Sequence, residues 1–175
     1  MLVVGPSGVG KDTLLGGARL ALASDSSVVF ARREITRPAD AGGEDHTPVD
    51  AETFRAREAA GGYLLSWDAH GLSYGLPAAL ADDLAAGRTV VANVSRTVLD
   101  AARTRFPGLR IVSVTAAPER VAERLAARAR EDAADIAARL ARADALAVDG
   151  GDVVVVRNDG ALQAGVAAMI AAIRG

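Results

Sequence analysis

The run Gly5-Pro6-Ser7-Gly8-Val9-Gly10-Lys11 has the spacing G-x-x-x-x-G-K, directly after an apolar stretch and directly before a helical pattern. Glycines let successive backbone N–H groups turn toward one point, and a helix amino end adds positive potential there. A lysine ammonium then reaches the terminal phosphates of a nucleotide. These features converge on a triphosphate tail, making Gly5, Pro6, Ser7, Gly8, Val9, Gly10 and Lys11 candidate nucleotide-binding residues, with Lys11 also acting on the transferred group. It is the chain's only lysine. The next position departs from the general pattern, because Asp12 stands where a Mg²⁺-holding hydroxyl is usual and Thr13 follows it. Two readings stand. Asp12 supplies a hard oxygen to Mg²⁺, directly or through water, while Thr13 donates to a phosphate; or Asp12 only complements the helix dipole, worth roughly 0.3–1 kcal/mol.

Such a loop needs a strand before it and a helix after it, and the rest of the chain repeats that alternation. Short β-branched runs predict strands over 2–4, 28–35, 89–92, 109–114 and 153–156. Alanine-rich stretches with helical spacing predict helices over 11–23, 77–86, 97–105, 118–130, 132–147 and 161–173. Alternating strand and helix means parallel strands joined by helical crossovers, with ligands at the carboxyl ends of the strands. One segment breaks the rhythm. Residues 37–75 hold Pro38, Gly42, Gly43 and Pro48, a short helix over 51–60 and a hairpin over 62–74, so they read as an insertion into a core of 1–36 and 76–175. The expected architecture is one α/β domain, a three-layer sandwich around a five-stranded parallel sheet.

Composition removes whole classes of function. The chain has 175 residues, half of them hydrophobic and 24% charged, which excludes an intrinsically disordered polymer. Cysteine is absent, so disulfides and thiolate metal sites are excluded, and His46 and His70 are too few for a histidine-rich zinc centre. A net charge of −2 offers no global field for DNA or RNA, so no nucleic-acid partner is expected and any anion site must be local. No apolar run approaches the roughly 20 residues that cross a bilayer, and no basic leader precedes Leu2. A cytoplasmic location without a membrane partner is expected. The first strand starts at residue 2 with no lead-in, so a few further residues are expected upstream.

The loop is followed in order by Ile35-Thr36-Arg37-Pro38, Gly43-Glu44-Asp45, Ser73-Tyr74-Gly75, Arg124-Leu125-Ala126-Ala127-Arg128 and Ala138-Arg139-Leu140. This series resembles the guanylate kinase family over nearly the whole chain. Within that superfamily, the runs over 5–12, 35–46 and 69–75 resemble G-P-S-G-x-G-K-D, I-T-R-P-A-D-A-G-G-E-D-H and A-H-G-L-x-Y-G of the bacterial ribose 1,5-bisphosphate phosphokinases, where Lys-Asp is the family's own pattern. The resemblance implies a nucleoside monophosphate kinase-like fold with an acceptor-binding insertion at about 37–75 and an arginine-rich lid at about 124–142. It implies ATP as co-substrate with Mg²⁺, a small sugar phosphate as partner, and 5-phosphoribosyl 1-diphosphate as product, which suits phosphonate breakdown or nucleotide-precursor supply alike. The acceptor oxygen belongs to a phosphate with second pKa of about 6, so no strong general base is required.

Residue roles follow from the same resemblance. Arg37 and Tyr74 match acceptor-phosphate contacts. The guanine-reading positions have changed, with Arg33 for a serine, Ser66 for a glutamate beside Trp67, and Leu76 for a hydroxyl residue. Base recognition is thereby dismantled, and Arg33 adds a guanidinium suited to phosphate. His46 stands near a phosphate-binding tyrosine; it donates to phosphate when protonated, or is a surface-loop histidine without a role. Asp40 replaces a second arginine and is placed nearer ribose hydroxyls. Asn93 and Ser95, at a strand end that carries carboxylates in guanylate kinases, hydrogen-bond substrate or form an ordinary polar turn. Arg128 and Arg139 are the lid cations that neutralise the transferring phosphoryl group, although Arg128 also sits four residues from Asp132, at ion-pair spacing. Arg124 packs or pairs locally, and Asn158 contacts the adenosine end of ATP. Two rival readings remain. A guanylate or other nucleoside monophosphate kinase lacks the base-reading residues, and a non-catalytic interaction module has no use for an intact phosphate loop.

Overall fold

The computed structural model describes residues 1–39, 45–126 and 148–175. They fall into two compact units, Met1 with Ser24–Leu109, and Leu2–Ala23 with Arg110–Gly175. The second unit carries the phosphate loop. Its strands β1 (Leu2–Val4), β8 (Ile111–Thr115) and β9 (Val153–Arg157) are parallel, with Leu2 opposite Ile111 and Ile111 opposite Val153. Val3, Val4, Ile111, Val112 and Val114 are completely buried, as expected of β-branched strands covered on both faces. Helix α1 (Lys11–Ala21) buries Leu14 and Ala18 four residues apart, and α6 (Leu162–Arg174) buries Gly165, Met169, Ala172 and Ile173. These stripes face each other closely. A Cβ on Gly17 would come within 2.5 Å of Val166 Cγ2, and one on Gly165 within 2.8 Å of Leu14 Cδ2. Arg110 closes the far end of α6 by donating from Nη2 to the Ile173 carbonyl at 3.0 Å, a cation at a helix carboxyl end. Helix α5 (Pro118–Ala126) leads from β8 toward the undescribed residues.

The first unit holds a parallel pair and a separate mixed sheet. Strands β2 (Val28–Phe30) and β7 (Thr89–Asn93) are parallel, with Val29 opposite Val90. Each unit thus contributes parallel strands, in agreement with the α/β class read from the sequence. The second sheet orders β4 (Thr47–Pro48), β3 (Glu34–Ile35), β6 (Leu72–Pro77) and β5 (Tyr63–Ala69). Helix α2 (Ala51–Ala59) starts on Asp50, whose carboxylate accepts from Thr53 N at 2.8 Å and Thr53 Oγ1 at 2.7 Å. The Thr53 backbone N–H foremost, then its hydroxyl, holds this carboxyl below its ordinary pKa. Helices α3 (Leu80–Ala85) and α4 (Leu99–Arg105) flank β7 in the chain. No helix among the described residues is long and apolar enough to cross a membrane.

The structure corrects several boundaries. The strand expected over 28–35 is two strands in two sheets: Phe30 ends a parallel strand, and Glu34 begins an antiparallel partner of β6. Between them lie Arg32, with Nη2 on the His46 carbonyl at 2.9 Å, and buried Arg33, so the chain changes sheets where its apolar run breaks. The helix expected over 77–86 begins only at Leu80, because Leu76 and Pro77 still pair with β5. The helix expected over 97–105 begins as a 3₁₀ turn at Arg96–Val98 before α4.

Candidate active site

The phosphate loop is shaped by glycines that no other residue would replace cheaply. Gly5 and Gly10 have φ of 150° and 90°. A Cβ on Gly5 would lie 2.4 Å from the Val114 carbonyl oxygen, and one on Gly10 would lie 2.5 Å from Asn158 Nδ2. The loop is therefore pressed against its surroundings at both ends. Its middle is held by one carbonyl. Val9 O accepts from Asn158 Nδ2 at 2.7 Å and from Arg124 Nη1 at 3.2 Å, while Arg124 Nη2 donates to the Asn158 carbonyl at 2.8 Å. Val9 is wholly buried and Asn158 nearly so. The adjoining Asp159 Oδ1 accepts from Ala117 N at 2.5 Å, just before α5. That backbone hydrogen bond, with Arg157 as a lesser cause, holds the Asp159 carboxyl below its ordinary pKa.

Helix α1 starts from Gly10 without a side-chain cap, so its amino end meets the loop directly. Lys11 Nζ donates to the Gly5 and Pro6 carbonyls at 2.7 and 3.0 Å, which keeps the ammonium over the loop. Asp12 and Thr13 are exposed in the first turn, with Ser7 exposed on the loop. A groove of about 440 Å³ beside the loop is lined by Gly8, Gly10, Thr13, Arg124, Asn158 and Leu162. Backbone turned by glycines, a helix amino end and one ammonium suit a polyphosphate tail. Among the described residues no three His, Cys, Asp or Glu side chains gather to hold a metal. Asp12 and Thr13 fit an ion such as Mg²⁺, which takes one or two protein oxygens and relies on phosphates and water for the rest.

The other sheet collects arginines and aromatic rings. Trp67 on β5 pairs with Tyr74 on β6, and their rings stack 5.4 Å apart at 5°. The Arg33 guanidinium lies over both, 5.7 Å from the Trp67 centroid and 5.2 Å from that of Tyr74. On β3, Glu34 Oε2 accepts from Tyr63 Oη and from Arg57 Nη1, both at 2.7 Å. Burial, then the Glu34 carboxylate, raises the Tyr63 phenol pKa well above its ordinary value. Arg37 lines an open cavity of about 740 Å³ together with Thr36, Pro38, Thr53 and Arg57. His46 is 5% exposed, and its Nε2 lies 3.1 Å from the Arg37 carbonyl. A carbonyl only accepts, so Nε2 carries the proton.

No family model matches the chain. The ribose 1,5-bisphosphate phosphokinase PhnN of Acidiphilium cryptum is 57% identical over 145 residues, covering 83% of this chain and 77% of that protein. The chain belongs to the ribose 1,5-bisphosphate phosphokinase family. The namesake from Rhodopseudomonas palustris is 52% identical over 142 residues, 81% of this chain and 73% of that protein. A bifunctional ribose 1,5-bisphosphokinase-thymidine phosphorylase of Azorhizobium caulinodans is 51% identical over 171 residues; the match covers 98% of this chain but spans only 25% of that longer protein. Among solved structures, a guanylate kinase from Anaplasma phagocytophilum superposes with a TM-score of 0.69 at 17% identity, covering 99% of this chain and 82% of that one. That likeness establishes the guanylate kinase fold.

Against this family background, the candidate residues separate. The structure brings Gly5 to Thr13 together with Asn158, although the Asn158 amide is spent on Val9 O, deep behind the loop. Arg33 and Tyr74 also meet. His46 is not a surface-loop histidine: its ring is buried against the Arg37 carbonyl, because the backbone of 45–48 runs alongside β3. Ser95 caps the 3₁₀ turn, its Oγ accepting from Thr97 N at 3.3 Å, and Asn93 ends β7 half-buried. Asp40, Arg128 and Arg139 lie outside the described residues, as does the expected lid beyond Ala126. Sequence reading gave Arg124 only a local role, whereas it reaches a carbonyl 115 positions away. Nothing in its own helix signals this. The Glu34–Tyr63–Arg57 cluster was likewise missed, although a glutamate inside an apolar run between two arginine-rich neighbours was the available cue.

Proposed function

We propose that this protein transfers the γ-phosphoryl group of ATP to the 1-phosphate of ribose 1,5-bisphosphate, giving 5-phosphoribosyl 1-diphosphate and ADP. The observation that carries the reading is the 57% identity to the A. cryptum phosphokinase over most of both chains, with the glycine-shaped loop and its lysine intact. An oxygen of the acceptor 1-phosphate forms a bond to the γ-phosphorus as the bond to the β,γ-bridging oxygen breaks, and that electron pair leaves on ADP. The attacking phosphate is already largely dianionic, so no proton needs removal. Positioning and charge neutralisation supply the catalysis.

In this reading the loop backbone from Gly5 to Gly10 binds the triphosphate. Lys11 moves from the Gly5 and Pro6 carbonyls onto the β- and γ-phosphates, and Asn158 with Arg124 keeps the loop in shape beside the adenosine groove. Asp12 and Thr13 are the residues that would hold Mg²⁺, which would supply charge neutralisation on the triphosphate. Arg33, Arg37 and Tyr74 take the acceptor's phosphates, His46 holding the Arg37 carbonyl in place, with Asp40, Asn93 and Ser95 toward its hydroxyls. Arg128 and Arg139 close over the transferring group, the 37–75 segment serving as acceptor module of a single kinase domain. A cytoplasmic location, where ATP is supplied, accords with this reading.

A coupled ADP-release assay offering ribose 1,5-bisphosphate, GMP or no acceptor tests this reading, with ³¹P NMR identifying the product. Acceptor-dependent release with the bisphosphate and formation of a diphosphate are expected. Brisk turnover of GMP with an inert bisphosphate would refute the reading, and equal ADP release without acceptor would reduce it to an ATPase.

A further inference from the structure

Trp67 has no task in the reaction outlined above, yet its surroundings give it one. The alternation of β3, β5 and β6 puts Ile35, Tyr74 and Trp67 on one face of the mixed sheet and Glu34, Gly75 and Ser66 on the other. On the second face β3 is anchored to its neighbours, since Glu34 takes Arg57 and Tyr63, and β5 is tied to α2 by Ser66 Oγ donating to Glu58 Oε1 at 2.6 Å. On the first face Arg33 is only 8% exposed as a residue, and its guanidinium lies over two stacked rings, one belonging to Trp67, itself 9% exposed. A guanidinium held against aromatic faces gains attraction from their quadrupoles and loses most of its rotational freedom, so its planar fork points one way. A sugar phosphate has no base to stack on these rings, and the arginine occupies them instead.

We infer that Trp67 is a positioning residue for the acceptor: its indole, with Tyr74, fixes the Arg33 guanidinium in the orientation that takes a phosphate of the pentose. Trp67 acts through Arg33 and leaves the nucleotide half untouched. The inference rests on the acceptor reading above and extends it to a residue that meets no substrate.

The test uses Trp67→Leu, Trp67→Phe and Arg33→Lys in the full chain, with KM measured separately for ribose 1,5-bisphosphate and ATP. Trp67→Leu raises the acceptor KM about tenfold, the loss of one desolvated cation–aromatic contact, while the ATP KM stays put. Trp67→Phe, which keeps an aromatic face, recovers most of the affinity. Arg33→Lys keeps the charge and the indole but loses the stacked fork, and repeats the Trp67→Leu defect; the indole emission of the wild type decides the matter if Trp67→Leu does not fold. Because Trp67 is the chain's only tryptophan, wild-type emission also changes on titration with the bisphosphate alone. An unmoved acceptor KM in the soluble variants, a parallel rise in the ATP KM, or silent emission at saturating acceptor overturns the inference. A wild-type protein that ignores the bisphosphate overturns the acceptor reading as well, whereas normal wild-type turnover with unmoved KM in the variants overturns this inference alone.

Discussion

Gly10→Ala should damage nucleotide binding through one methyl group. The position has φ of 90°, and the added carbon would meet Asn158 Nδ2 at 2.5 Å. Holding an alanine in the left-handed region costs roughly 1–2 kcal/mol. Displacing Asn158 removes its 2.7 Å hydrogen bond to Val9 O, worth about 1 kcal/mol net. Together these amount to about 2–3 kcal/mol, which divides between stability and affinity. If the variant loop relaxes, ATP must restore it and the dissociation constant rises by roughly 30- to 150-fold. If it cannot relax, the loss appears in the urea midpoint. Calorimetric titration with ATP and equilibrium unfolding, run side by side, account for both routes. The control is Gly16→Ala on the same helix, where an added Cβ meets nothing within 4 Å. It should leave ATP affinity alone and stabilise α1 by up to about 1 kcal/mol. Wild-type affinity together with wild-type stability in Gly10→Ala would refute this account of the loop.

Lys11→Met should fold normally and lose on the order of 10²–10³ in kcat, the usual effect of deleting one preorganised charge at a transferring group; stopped-time ADP release measures it. Gly75→Ala drives a carbon to within 2.5 Å of the Tyr63 ring, so overpacking should destabilise the mixed sheet by about 1–3 kcal/mol, seen as a lower urea midpoint. Asp159→Asn tests the tie between Ala117 and the segment after β9. The folded carboxyl titrates below its ordinary value of 3.8, so its contribution is complete above that pH and is lost as pH falls through the folded pKa. Wild-type stability should therefore fall more steeply than the variant's in that acid range, and matching acid profiles would remove Asp159 from the network.

The loop was legible in the sequence because few residue types can serve in it: the glycine at position 10 follows from the turn, and the lysine at 11 from the positive charge a phosphate needs. The core strands and helices were legible for a similar reason, since two-sided burial requires runs such as Leu2-Val3-Val4. What the sequence hid was distance. Val28 to Ile35 reads as one strand because both its ends are apolar, and only Arg32 and Arg33 hint that the chain changes sheets there. The burial of His46 depends on β4 lying beside β3, and the reach of Arg124 depends on where Val9 ends up. Neither neighbour is local. A polar side chain advertises its type in the sequence but not the carbonyl it will find.

The near contact between Gly17 and Val166 gives the nucleotide grip a remote adjuster. Helix α1 begins at the loop, so whatever shifts its axis shifts the cradle, and what sets that axis two turns away is the absence of a single carbon opposite a valine. A serine or alanine introduced there would wedge the two helices apart unless Val166 shrank in compensation. Matched changes at this pair would allow the hold on ATP to be retuned while every phosphate-facing residue stayed as it is.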